Sequence, residues 1–372
     1  MTQPLTGVKV LDFSTLLPGP LCSLLLAEAG AEVIKFERPQ RGDEMRSYEP
    51  KAGDDSANFV LLNRGKKSIA IDLKLPGALL ALTPFIAEAD VVVEQFRPGV
   101  MDRLGLGYEA LAKINPRLVY CSITGFGQNG PRSTEAAHDL NYVAAAGMLS
   151  LTAGADGSPG LPPALIADIA GGAYPAMINI LLALRQRDQT GKGCHLDVSM
   201  ADNLFAFQYW GLGSGAQGQW PKPASDLVTG GSPRYRIYRT SDGQFLAAAP
   251  IEDKFWNNFV SLIGLSVETL SRMQPPAAIE AVGHAIAQHT AAHWQDRFAG
   301  HDVCVSRVVS LEEATRDPHF AARGLFGRTV STASGATLPA LPVPVDDRFR
   351  LSTTEQLSPA LGEHNQLLDN RA

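Results

Sequence analysis

A chain of 372 residues with 45% hydrophobic and 19% charged residues has an ordinary globular composition, which excludes a disordered polymer, a coiled coil and a collagen-like repeat. Its length exceeds an average domain, so two domains or one large α/β unit with an insertion are expected. Lys and Arg total 32 against 38 Asp and Glu, a net charge of −6 that is too acidic for the usual nucleic-acid binder but compatible with a local basic pocket for an anionic ligand.

The first 125 residues alternate strand-like and helical runs. Strand candidates are VKVLDF (8–13), EVIKFE (32–37), SIAIDL (68–73), VVVEQF (91–96) and LVYCSITGF (118–126), with helical patterns at about 21–29, 77–89 and 108–114. This βαβ rhythm predicts a largely parallel sheet. A Gly/Ser/Pro-rich loop over 152–164 leads into a long helical pattern from about 170 to 187, which TGKG (190–193) ends. Residues 211–233 are rich in Gly, Pro and Ser and read as a linker. Beyond them, 235–243 and 244–250 predict an antiparallel hairpin turning at Ser241, Asp242 and Gly243, and helices follow over 252–299. Residues 336–352 are extended and interrupted by prolines, so their strands belong at sheet edges. The expected organisation is a large Rossmann-like α/β domain (1–210), a linker (211–233), a small α+β domain (234–325) and a C-terminal segment (326–372) returning to the large domain.

Four dispersed cysteines, Cys22, Cys121, Cys194 and Cys304, contain no CxxC pair and suggest neither a zinc knuckle nor a disulfide framework. The N-terminus carries no basic stretch followed by an apolar leader, and the apolar runs are cut by Glu28 or Arg185 before the roughly 20 residues that a bilayer requires. A soluble cytoplasmic protein with no membrane partner is expected. The first strand, turn and helix invite a dinucleotide-binding reading, with Glu37 near the place of a ribose-binding acid. However, STLLPGP (14–20) offers one glycine where that fingerprint needs three, and its prolines remove amide donors.

A series of motifs in order resembles the family III CoA-transferases and, within them, the α-methylacyl-CoA racemases. The series includes GVKVLDFSTLLPGP (7–20), GAEVIKFERPQRGD (30–43), LNRGKKSIAIDLK (62–74), VVVEQFRPGVMDRLGLGYEAL (91–111) and NPRLVYCSITGFGQNGP (115–131). It continues through AHDLNY (137–142), LIADIAGG (165–172), GKGCHLDVSM (191–200), IEDKFW (251–256), SLEEATRDPHFAARGLF (310–326) and LGEHN (361–365). The resemblance implies an interlocked homodimer and an acyl-CoA substrate. It also implies a CoA site in which Arg38, Arg97 and Arg103 hold phosphates, Ile71, Asp72, Leu73 and Lys74 line the adenine, Gln95 and Phe96 flank the nucleotide, and Ala137 follows the pantetheine arm. Guanidinium forks suit phosphates for a physical reason, since they pair two donors with two oxygens.

The same resemblance implies catalytic roles for His138, Asp168 and Glu252. Asp168 sits in an apolar run, a setting that raises a carboxyl pKa toward the range useful for proton exchange near neutrality. Inverting a carbon beside a thioester needs one base and, on the opposite face, one conjugate acid. Histidine suits the second role because it titrates near neutrality. Glu252 matches a glutamate that assists the aspartate, and Asp139 either accepts a hydrogen bond from a ring nitrogen or amide or caps the helix that follows. Backbone amides at the start of the Asp168 helix are expected to stabilise the enolate oxygen.

Ala137 and Ala164 depart from the glycine and asparagine common at those places in racemases. The expected function is a racemase of 2-methylacyl-CoA thioesters that uses no metal or redox cofactor, CoA entering as part of the substrate. The alternatives are a CoA-transferase working through an Asp168 anhydride and an inactive acyl-CoA-binding protein. His195 reads as structural, and His284, His289 and His293 read as a polar helix face with no metal site.

Overall fold

Six strands form the central sheet in a computed structural model of the protein, which describes residues 3–153 and 157–369. The strands are β1 (Lys9–Asp12), β2 (Glu32–Glu37), β3 (Lys67–Ala70), β4 (Val91–Glu94), β5 (Val119–Thr124) and β6 (Cys194–Ser199). They lie in the order β3-β2-β1-β4-β5-β6, and every pairing is parallel, as in the register Val10 to Val33 and Val10 to Val91. Parallel strands covered on both faces must be apolar throughout, which explains runs such as VVVE with all four residues buried. The chain winds outward from β1 to β3, then restarts at β4 on the other side of β1. The resulting switch point opens a crevice beyond the carboxyl ends of β1 and β4, where open α/β sheets bind ligands.

Helix α1 (Pro18–Glu28) is buried along its whole length and starts with prolines in its first turn, where a missing N–H costs nothing. Helices α2 (Ala78–Glu88) and α3 (Tyr108–Ile114) flank a core that includes Leu11, Phe13, Phe36, Ile69, Phe85 and Tyr120. The open edge of β3 is covered by the LGEHN motif. Gly362 N–H donates to Ser68 Oγ at 3.0 Å, and Ala70 N–H donates to Asn365 Oδ1 at 2.8 Å. Helix α4 (Asp139–Ala145) follows β5, and a π-helical turn over Ala167–Ala173 runs into α5 (Tyr174–Thr190). Gly191 ends α5 in the left-handed conformation at φ 74°. Contrary to the expected interruption at Arg185, Ala167–Thr190 is long and apolar enough to cross a membrane by composition. It has Ala176, Ile180, Ala183 and Leu184 buried, and Arg187 is anchored on Asp90 at 2.7 Å.

This sheet, its helices and the chain from Pro318 onward form one compact unit; Gly147–Leu161 and Ala206–Asp317 form another. Part of the expected 152–164 loop, residues 154–156, lies outside the described residues. The segment 211–233 differs from the expected linker. Tyr209–Ala216 is helix α6, and Gly215 meets the Trp220 ring so closely that an added β-carbon would stand 2.4 Å from it. There the glycine serves close packing rather than looseness. The second unit also holds the hairpin β7 (Arg236–Arg239) and β8 (Phe245–Ala248), with β9 (Val305–Arg307) on its other edge. Helices α7 (Asp253–Leu262), α8 (Pro275–Ile286) and α9 (Ala291–Phe298) close its core around Tyr238, Trp256, Phe259, Trp294 and Phe298. In the first unit, β10 (Thr329–Thr332), β11 (Thr337–Pro339) and β12 (Glu355–Ser358) form a small sheet in which proline-bearing β11 is an edge, as expected.

Candidate active site

The crevice beyond β1, β4 and β5 holds a cavity of about 410 Å³. Thr15, Leu16 and Pro18 line it from the β1 turn, Gln95 to Pro98 from the turn after β4, and Gly125 and Phe126 from the end of β5. Ala137, His138, Asn141, Tyr142, Asp168 and Met200 complete the wall. Sequence motifs separated by more than a hundred residues thus meet, and His138 and Asp168 are among them.

Asp168 stands on the π-helical turn before α5, a distortion that recurs at functional sites because it frees backbone groups and re-aims side chains. Asn203 Nδ2 donates to the Gly171 carbonyl at 2.8 Å. Gly171 is required there, because an added β-carbon would lie 2.4 Å from the Met200 carbonyl oxygen. Burial, with the charge of Asp139 beside it, pushes the Asp168 carboxyl up to about 7.

The role of Asp139 corrects one expectation. Its buried carboxylate accepts the Asp168 N–H at 2.9 Å and also bonds the amides of Ala167 and Ile166. The helix-start amides assigned to the enolate oxygen are therefore already taken by Asp139, which acts as a cap supplied from another helix. Of the readings open for Asp139, the bond to a nearby amide is the one observed. Burial outweighs these bonds, and its carboxyl is also raised.

His138 precedes α4, where its N–H donates to Asn141 Oδ1 at 3.0 Å, so the AHDLNY motif fixes its own entry to the helix. Its side chain is exposed. Tyr142 Oη donates to the Ala137 carbonyl at 2.7 Å, and burial with the two nearby aspartates pushes the phenol up to about 12. After β4, Gly19 N–H donates to Gln95 Oε1 at 3.0 Å and Phe96 N–H to Glu94 Oε2 at 2.8 Å. Glu94 is a buried acid that the sequence reading passed over, although a carboxylate ending an apolar strand is a visible signal; burial pushes it up to about 7. Leu16 was also missed. It lines the cavity at φ 62°, a conformation that costs a residue with a β-carbon about 1–2 kcal/mol.

Of the expected residues in the same unit, Arg38, Ile71 to Lys74 and Arg103 do not line this cavity. Arg38 follows β2, and Ile71 to Lys74 follow β3, where Ile71 N–H donates to the Glu37 carbonyl at 2.9 Å and Ile71 and Leu73 pack on the core. Arg103 ends the short helix Val100–Arg103. Arg38, Arg97 and Arg103 are exposed and, among the described residues, form no ion pair, which leaves their guanidinium groups open to an anion. Glu252 belongs to the second unit, where it is exposed at the start of α7. His195 bonds Ser122 Oγ at 2.9 Å and stacks on Tyr108, a structural placement. His289 and His293 stack on each other with centroids 3.9 Å apart, and no metal-binding cluster occurs among the described residues.

The sequence profile of CoA-transferase family III matches residues 5–365. The chain is 35% identical over 366 residues to an alpha-methylacyl-CoA racemase of Mus musculus, covering 97% of this chain and 91% of the relative. It is also 35% identical over 353 residues to an acetyl-CoA:oxalate CoA-transferase of Acetobacter aceti, covering 92% and 89%. Among solved structures, a CAIB/BAIF family protein from Brucella suis superposes with a TM-score of 0.82 at 29% identity, covering 100% of this chain and 99% of that one. The match of sequence and fold over nearly the whole length places this chain in CoA-transferase family III.

Proposed function

We propose that the chain racemises 2-methylacyl-CoA thioesters, or other 2-substituted acyl-CoAs, by two-base proton transfer through an enolate. The observation that carries this reading is that His138 and Asp168 line one cavity, with the Asp168 carboxyl raised to about 7. A carboxyl so placed is a usable base when ionised and a usable acid when protonated, both at neutral pH. Histidine on a second face supplies the other half of the exchange. Arg38, Arg97 and Arg103 are proposed to bind the CoA phosphates, with Ile71, Asp72, Leu73 and Lys74 at the adenine, Gln95 and Phe96 at the nucleotide and Ala137 along the pantetheine arm. CoA enters as part of the substrate.

A homodimer is proposed with this reading, supported by the exposed Ile178, Leu181 and Leu182 on α5, and the assisting role of Glu252 is proposed with that assembly. Sedimentation showing a folded monomer at nanomolar concentration would count against the dimer.

The second reading, transfer of CoA between carboxylic acids through an Asp168 anhydride, is favoured by the transferase relative, which is as similar to this chain as the racemase is. The variant His138→Ala separates the two. In a racemase it abolishes inversion, with a loss of roughly 10²- to 10⁴-fold, while exchange with retention through Asp168 survives. In a transferase it leaves CoA transfer to an added carboxylate largely intact.

A further inference from the structure

Beneath the cavity lie buried charges for which proton transfer has no use. Lys35 on β2 and Asp43 after it are both fully buried, and they pair at 2.9 Å between Nζ and Oδ2. Lys35 Nζ also donates to the Ser14 carbonyl at 2.7 Å. The other oxygen of Asp43 accepts the Leu16 N–H at 3.0 Å and the Met45 N–H at 3.0 Å. Asp43 is itself fixed by its N–H donating to Glu37 Oε2 at 2.9 Å. One ion pair therefore grips the β1 turn twice, at the carbonyl of residue 14 and at the amide of residue 16. Between those grips Leu16 holds a φ of 62°.

Stability alone does not call for this arrangement. A buried ion pair is commonly matched or bettered by apolar residues of similar volume, and a glycine at position 16 would adopt the left-handed conformation without restraint. The chain instead carries a branched side chain, strained, in the wall of the cavity that holds His138 and Asp168. We propose that Lys35 and Asp43 are positioning residues whose ion pair holds Leu16 in its left-handed conformation as a fixed wall of the acyl-CoA cavity. This rests on the cavity being the acyl-CoA site, whichever chemistry runs there.

The test compares wild type, Leu16→Ala, Leu16→Gly, Asp43→Asn and the double variant Leu16→Gly with Asp43→Asn. Affinity for a 2-methylacyl-CoA is read by calorimetry and folding by the melting temperature. Both replacements at Leu16 remove the side chain, but only glycine removes the strain, so Leu16→Gly melts above Leu16→Ala. Asp43→Asn weakens acyl-CoA binding roughly tenfold or more with leucine present, in line with the cost of small misplacements, and much less in the Leu16→Gly background. An equal loss in both backgrounds, or a Leu16→Gly protein that melts no higher than Leu16→Ala, overturns the proposal. The Leu16 pair decides even where Asp43→Asn fails to fold. A wild type that binds acyl-CoA without exchanging its α-proton contradicts racemisation and leaves these comparisons standing; a wild type that does not bind acyl-CoA overturns both.

Discussion

The two units of the chain are built on opposite plans. The first buries Asp12, Lys35, Asp43, Lys66, Glu37 and Arg46 close to the turn that lines the cavity, and Glu28 is held by Arg64 and Arg350, each at 2.7 Å. The second unit has a core of Trp256, Phe259, Val260, Trp294 and Phe298, and its ion pairs, such as Lys254 with Asp302, lie on the surface. An apolar core secures stability cheaply, whereas buried charge is retained where a particular backbone shape must be enforced. The contrast teaches that buried charge in this chain is confined largely to the first unit, where part of it surrounds the turn that lines the cavity and part ties down the C-terminal segment.

The largest expected effects set the two plans directly against each other. Lys35→Met removes the cation that, against the effect of burial, helps hold the Asp12 carboxyl below its ordinary value, and should cost about 3–5 kcal/mol in urea unfolding, a deficit that shrinks as pH falls and Asp12 takes up its proton. Trp294→Ala should cost a similar amount, about 3–5 kcal/mol, by leaving a cavity, and its deficit should not change with pH. Matching pH profiles for the two variants would erase the distinction.

A smaller effect probes the strain held at the site. The folded Asp168 carboxyl sits at about 7, above the ordinary value of 3.8. Its contribution to stability is therefore fully present below pH 3.8 and is lost as pH rises through about 7. Asp168→Asn, which carries no charge, should be more stable than wild type at pH 8 by on the order of 2–4 kcal/mol, and the gain should fade as pH falls toward 4. A variant no more stable than wild type at pH 8 would show that the carboxylate is not held at a cost. Smaller again, Arg38→Ala and Arg97→Ala should each weaken acyl-CoA binding by about 1.5–3 kcal/mol without lowering the melting temperature. Unchanged calorimetric affinity for both would remove them from the CoA site.

The parallel sheet was legible because two-sided burial forces continuous apolar runs, and five of its six strands stand out as such. Strand ends were less so: SIAIDL pairs only as far as Ala70, and a turn closed by the Leu75 N–H on the Asp72 carbonyl at 3.2 Å follows. The meeting of His138 with Asp168 was implied by resemblance to a known family, not by spacing. What escaped was long-range polar bonding. Asp139 caps a helix turn 29 residues away, a partnership with no local signature, and the amides it occupies had been assigned to the enolate. Lys35, inside EVIKFE, is fully buried on Asp43, a partner that no local pattern in the sequence signals. The glycines of 211–216 read as looseness because composition does not reveal that Trp220 packs against one of them.

The central claim is that His138 and Asp168 exchange a proton at the α-carbon of an acyl thioester. The most direct measurement is incubation of one enantiomer of a 2-methylacyl-CoA in heavy water, with no acceptor acid present, following α-deuteration and optical purity together. Racemisation predicts that deuterium enters as optical purity falls. No deuterium across a panel of such thioesters, with CoA transfer appearing only when a carboxylate is added and surviving His138→Ala, would contradict it.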